Sequence, residues 1–191
     1  MKLSEMGLKE LWRLFPIRLE PWRKEWAQWF CEEKEELRNI LPLEQVCRIE
    51  HIGSTAIRGI WAKPTVDILI EMKEGQGLND AGARLENSGY LLMSKDSHRL
   101  SYNKGYTPEG FAARVFHIHL RQAGDHDELY FRDWLRADRQ AAEEYEQLKL
   151  RLWKAYEHNR DGYTGAKGEF VRSCTAAGRR AFEGRYEEGE E

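Results

Sequence analysis

The stretch Glu50–Glu71, EHIGSTAIRGIWAKPTVDILIE, decides how the chain folds. It reads as strand, turn, strand: an apolar run closes on His51 and Ile52, Gly53-Ser54-Thr55 turns the backbone, and Pro64 opens a second run. Strict alternation there puts Val66, Ile68, Ile70 and Met72 on one face and Asp67, Leu69 and Glu71 on the other. One carboxylate, Asp67, thus leaves the core near the start of a strand, shortly after a Gly-Ser turn. That combination suits phosphate. Glycine lets backbone approach a ligand, so Gly53, Ser54 and Thr55 can hold phosphate oxygens while the acid holds a divalent cation. Arg58 and Lys63, in the intervening loop, stand as point charges where an anion would want them. The plain alternative is an ordinary turn, a solvated aspartate and two solvated cations.

Towards the N-terminus, Val46–Ile52 reads as a strand with Cys47, Ile49 and His51 on one face and Val46, Arg48, Glu50 and Ile52 on the other. Glu50 then points to the Asp67 side if the two strands pair in a suitable register. Leu8, Leu11, Trp12 and Phe15 recur at helical spacing before Pro16, which predicts a short docking helix. Pro21 opens a longer helix whose stripe is Trp22, Trp26, Trp29, Phe30, Leu37 and Ile40. Such aromatic richness could stack bases, but the spacing fits one buried face, and core packing is the reading.

Towards the C-terminus, residues 77–88 read as a helix, and short strands at 90–94 and 99–103 flank a hairpin turn. A loop from Gly105 to Gly110 leads to the strand Ala113–Arg121. Here Phe116, Ile118 and Leu120 face the core, and Val115, His117, His119 and Arg121 share the other face. If this strand lies beside the Asp67 strand, neighbours stand about 5 Å apart and His117, His119 and Asp67 form one cluster. Magnesium prefers oxygen ligands, whereas imidazole suits manganese, zinc or iron. Either a softer cation binds there, or the histidines act on phosphate directly as donors and bases.

From Asp125 the chain reads helical almost to its end. Arg132 and Arg136, at i and i+4, share a helix face and could clamp phosphates; pairing with Asp133 or nearby glutamates is the alternative. A helix with the stripe Tyr145, Leu148, Leu152 and Tyr156 follows, its Glu and Lys run read as a solvated face. After a break at 159–162, a last helix starts with Tyr163 and Lys167 at i, i+4, positioned to touch substrate. The acidic tail Glu187–Glu191 is expected to be disordered.

Composition bounds these readings. The 191 residues suit a single domain, and a formal net charge of −3 supplies no global basic field, which argues against non-specific nucleic-acid binding. Three well-separated cysteines without a C-x-x-C pair suggest neither a disulfide framework nor a thiolate zinc site, but buried thiols in a reducing compartment. No signal core and no apolar run long enough to span a bilayer are visible, so a cytoplasmic, membrane-free protein is expected. Oligomeric state leaves no signature.

The segment HIGSTAIRGIWAKPTVDI, together with LKELWRLFPI, FHIHL, FRDWLR and YTGAKGEF, resembles the GrpB family. The resemblance covers nearly the whole chain and implies a nucleotidyltransferase-like α+β fold, with a small mixed or antiparallel sheet flanked by helices and a helical C-terminal third. It further implies an enzyme acting on a nucleotide or other phosphorylated small ligand with a divalent metal, manganese, zinc or magnesium. Ser54 and Lys63 would hold phosphate, Asp67 would ligate the metal with Glu50 beside it, and His117 or His119 would be a ligand or general base.

One departure matters. Enzymes of that fold carry two acids two residues apart, with side chains roughly 7 Å apart on one face, so that they can share a metal pair. Leu69 occupies the second position here. Glu71 faces the same way but stands about 13 Å along the strand from Asp67, too far to bridge ions about 4 Å apart. A module that binds a nucleotide or phosphate without turnover is therefore the alternative.

Overall fold

The computed structural model describes residues 5–187, and among these the strands are β1 (Val46–Ile52), β2 (Val66–Met72), β3 (Leu91–Lys95), β4 (Arg99–Thr107) and β5 (Gly110–Arg121). They form one five-stranded sheet in the order β1-β2-β5-β4-β3. β2 and β5 run parallel, and every other neighbouring pair is antiparallel. The sheet is thus mixed, with helices on both faces, which is the α+β arrangement the resemblance implies.

Period-two patterning explains which face is which. Val66, Ile68, Ile70 and Met72 join Phe116, Ile118 and Leu120 in one core with Trp26 and Leu37 of helix α2 (Glu25–Ile40) and Leu78, Ala81 and Leu85 of helix α3 (Leu78–Asn87). Burying each large apolar side chain there contributes about 1.5–3 kcal/mol. Trp22, Trp29 and Phe30 pack against this core, so the tryptophan stripe is packing and not a base platform. On the opposite face Leu69, fully buried, packs with Ile52 and with Leu129 of α4 (Asp127–Ala137). The place where a second acid would stand is hydrophobic. A further core, including Phe131, Leu135, Tyr145 and Cys174, binds α4 to α5 (Arg139–Tyr156) and α7 (Gly168–Ala181).

Several local readings need correction. Helix α1 (Leu8–Leu14) fully buries no residue and Leu8 is 60% exposed, so it docks only through its end, where Phe15 packs on Tyr106 and Phe111 with ring centroids 4.7 and 4.9 Å away. Deeper anchors come after Pro16: Ile17 and Leu19 are buried, and Trp153 Nε1 donates to the Ile17 carbonyl at 2.7 Å. In β1 a register shift between Val46 and Arg48 turns Val46 into the same core as Ile49. The expected loop 105–110 is mostly strand, because β4 continues to Thr107 and turns straight into β5. The single last helix is two, α6 (Arg160–Ala166) and α7, with Lys167 at their junction and not in a first turn. Of the cysteines, Cys174 is buried but Cys31 is exposed. Of the acidic tail, residues 188–191 lie outside those described. Among the described residues no helix is long and apolar enough to cross a membrane.

Candidate functional site

The parallel register sets Asp67 beside His117 and Leu69 beside His119. His117 Nδ1 lies 3.2 Å and His119 Nε2 3.3 Å from the same carboxylate oxygen, Asp67 Oδ1. Which nitrogens carry protons follows from the outer partners. Arg121 Nη2 is 3.1 Å from His119 Nδ1, and a guanidinium can only donate, so Nδ1 accepts and Nε2–H donates to Asp67. His117 Nε2 meets Arg160 Nη2 at 3.4 Å and the Tyr106 hydroxyl at 2.8 Å; it accepts, and Nδ1–H donates to Asp67. Burial lowers the His117 pKa to about 4. Burial alone would raise Asp67, but the bonds from the two rings outweigh it and hold the carboxyl well below the usual carboxylate range. Asp67 is therefore ionised, with Oδ1 held by two rings and Oδ2 turned to Gly53, where an added Cβ would come within 2.4 Å of it.

The turn before Asp67 is locked from behind. Thr55 Oγ1 donates to the Thr65 carbonyl at 3.1 Å, so it accepts the 2.9 Å bond from His51 Nε2. His51 is buried and stacked on Phe30, with ring centroids 4.9 Å apart. Burial lowers its pKa from 6.5 to about 4. Between those values the unfolded chain binds a proton that the folded chain refuses, so stability is complete above about pH 6.5 and declines towards pH 4. This one group is expected to cost up to about 3 kcal/mol over that window. Urea unfolding at pH 7 and pH 4.5 checks this: His51→Gln should lose less between the two than the natural chain does.

In front of the turn lies a cavity of about 190 Å³. Gly53, Ser54, Lys63, Thr65, Asp67 and His117 line it from the sheet, and Tyr145, Lys149, Arg160, Tyr163, Thr164 and Lys167 from α5, α6 and the junction that follows. Four side chains there are cationic in their ordinary state and one is acidic. Among the described residues none of Lys63, Lys149, Arg160 and Lys167 makes an ion pair with a carboxylate. Burial first, and then repulsion from neighbouring cations, lowers Lys63 and Lys149 to about 7 and Lys167 to about 8. The Tyr163 hydroxyl is buried without a hydrogen-bond partner among the described residues. Lys149 Nζ donates to the Trp61 carbonyl and Arg160 to the Tyr106 hydroxyl and His117 Nε2, all neutral acceptors, so the pocket is short of negative charge.

Of the residues singled out in the sequence, Gly53, Ser54, Lys63, Asp67, His117, Tyr163 and Lys167 meet in this cavity. His119 reaches Asp67 without lining it, and Thr55 points inward to the lock. Arg58 is exposed and lies over the Trp22 ring. Arg132 and Arg136 are not a phosphate clamp. Arg132 is buried and bonds Glu50, Asp133, the His51 carbonyl and the Tyr186 hydroxyl, while Arg136 donates twice to the Ala56 carbonyl. Both hold β1 and the turn from outside the cavity. Glu50 shares the Asp67 face, but its carboxylate is taken by Arg132.

A histidine-rich metal site does not fit this geometry. Both rings have their second nitrogen engaged, and among the described residues no group of three His, Cys, Asp or Glu could hold an ion. Asp67 Oδ2 is the oxygen that suits a hard cation with its own waters. Lys149 and Arg160 escaped sequence reading. Lys149 stands four residues after Tyr145 and so on its buried face, a spacing that could have separated it from the solvated Lys and Glu run. Arg160 opens α6 because Asn159 caps it, its side chain accepting from Gly162 N at 2.9 Å.

The family described as "GrpB protein" matches residues 16–177, which include the whole cavity. The chain belongs to the GrpB family. A UPF0157 protein of Pseudomonas aeruginosa is 36% identical over 158 residues, 81% of this chain and 64% of its own length. One from Bacillus subtilis is 29% identical over 97% of this chain and 54% of its own length. The chain thus spans between half and two thirds of the length of those two relatives. The glutamate-rich protein GrpB of Alkalihalophilus pseudofirmus is 33% identical over 76% of this chain and 86% of its own length. Among solved structures, the conserved protein GrpB from Enterococcus faecalis superposes with a TM-score of 0.73 at 26% identity, covering 86% of this chain and 99% of that one.

Proposed function

We propose that this GrpB-family chain binds a phosphorylated small molecule, with a nucleotide as the leading form. The observation that carries the reading is the set of four basic side chains without carboxylate partners among the described residues, around one ionised, rigidly held aspartate. Lys63, Lys149, Arg160 and Lys167 would neutralise phosphate oxygens, and Ser54 and Tyr163 would add hydroxyl donors. A divalent cation carried by the ligand would find Asp67 Oδ2, where it would offset phosphate charge.

Nucleotidyl transfer to an acceptor is the second reading, favoured by the ionised, oriented Asp67. Leu69 buried between Ile52 and Leu129 weighs against a two-metal form of it. Pyrophosphate release from labelled nucleotides would separate transfer from binding alone.

Titration calorimetry with tripolyphosphate tests the binding reading. Lys149→Met and Arg160→Met are each expected to weaken binding by roughly 10- to 100-fold, the scale of one lost charge-assisted bond. Binding should also be linked to protons. At pH 8, Lys63 and Lys149, lowered to about 7, are mostly neutral. A bound anion returns them towards 10.5, so complex formation takes up protons and affinity falls as pH rises from 7 to 9. Comparing heats in buffers of different ionisation enthalpy measures the uptake. No binding, or binding without uptake, would remove the lysines from the site.

A further inference from the structure

The cavity of about 190 Å³ falls below the range of about 300–1,000 Å³ typical of sites that enclose a whole small-molecule ligand. A phosphate group or short phosphate chain fits it, and the remainder of a phosphorylated ligand must lie outside. A second groove, of about 260 Å³, begins at the same place, since Lys63 and Thr65 line both. The two spaces together reach the size of a ligand site.

The walls of the groove differ in chemistry from those of the cavity. Pro16, Arg18 and the ion pair of Glu20 with Arg23 line it together with Phe111, Ala113 and Val115. Val115 is buried, while Phe111 is 37% exposed, large and apolar at the rim. Arg18 is exposed and makes no ion pair among the described residues. Phe111 is held by Phe15 and Tyr106, with ring centroids 4.9 and 5.2 Å away, and the Tyr106 hydroxyl bonds His117. The aromatic wall of the groove is thereby coupled to the ring that orients Asp67.

We propose that this groove is the second half of the ligand site and takes the base of a nucleotide whose phosphates occupy the cavity. The assignment rests on the phosphate reading above. The apolar part of the lining, Pro16, Ala113 and Val115 with Phe111 at the rim, accepts the π-face of a base, and the Arg18 guanidinium can stack on or hydrogen-bond a heterocycle. Arg23 also lines the groove but is paired with Glu20 at 3.4 Å, which leaves Arg18 and the shared Lys63 as its cations without a carboxylate partner among the described residues, fewer than the four around the cavity.

The test is calorimetry on the whole chain with tripolyphosphate, adenosine triphosphate and uridine triphosphate, using the natural protein, Phe111→Ala and Arg18→Gln. The nucleotides are expected to bind at least about tenfold tighter than tripolyphosphate, the scale of one base stacked on an aromatic ring. Each variant should shrink that ratio towards one, measured within the same variant. Arg18→Gln changes an exposed side chain and keeps the test valid if Phe111→Ala folds poorly. Equal affinity for nucleotide and tripolyphosphate in the natural protein would overturn the groove assignment and leave the phosphate reading standing. So would ratios unchanged in both variants. Absence of tripolyphosphate and nucleotide binding alike would bring down the phosphate reading, and the groove with it.

Discussion

Gly53→Ala is expected to abolish tripolyphosphate binding and to lower the melting temperature by several degrees. Gly53 has φ +70° and ψ −173°, a backbone region essentially closed to other residues, and entering it costs about 1–3 kcal/mol. At roughly 2–4 °C per kcal/mol for a chain of this size, strain alone is visible. The larger effect is local. The new methyl would sit 2.4 Å from Asp67 Oδ2, so the carboxylate must turn away and break its bonds to His117 and His119. Gly124→Ala separates the two contributions, because Gly124 also has positive φ, +81°, but its Cβ would meet nothing within 4 Å. Differential scanning calorimetry should show both variants destabilised, Gly53→Ala more so, and titration should show binding lost in Gly53→Ala only. Normal affinity in Gly53→Ala would mean that the turn and Asp67 do not form one site.

Asp67→Asn is expected to change the two classes of ligand in opposite directions. The amide still offers an oxygen to the rings but removes the one negative charge among four basic side chains. Metal-free tripolyphosphate, measured in chelator, should then bind about three- to tenfold tighter, because a like charge facing the anion is gone. Nucleotide with magnesium should bind at least about tenfold more weakly, because the cation loses its anionic oxygen ligand. Titrations with and without magnesium check both signs. If both ligands respond alike, the cation does not sit on Asp67.

Most of the central sheet was legible. Alternation in Val66–Met72 and in Phe116–Arg121 fixed which residues face the core, and because the period is two it also grouped Asp67 with His117 and His119 once the strands were neighbours. That they run parallel was not legible, since the choice depends on how α3, β3 and β4 are routed between them. Helices were read less well. Spacing shows that Arg132 and Arg136 share a face but not that the face meets Glu50 and the Ala56 carbonyl instead of the cavity. Lys149 failed for the converse reason, a charged residue in a charged run that tertiary packing turns inward. Where the second nitrogen of each histidine goes depends on Tyr106, Arg121 and Arg160, which only the folded chain brings close.

The single parallel ladder of the sheet gives the site a second role. β1 with β2, and β3 with β4 and β5, are antiparallel groups, and among the described residues the β2–β5 ladder is the backbone hydrogen-bonded link between them within the sheet. That ladder brings together residues as far apart as Asp67 and His119, 52 positions away in the chain, so its loop-closure cost is high and its gain comes late. The cavity straddles this seam, with Gly53, Lys63 and Asp67 on one bank and His117 and Arg160 on the other. An anion bound there would bridge the two antiparallel groups, so that occupancy of the site would add to the cohesion of the sheet at its seam.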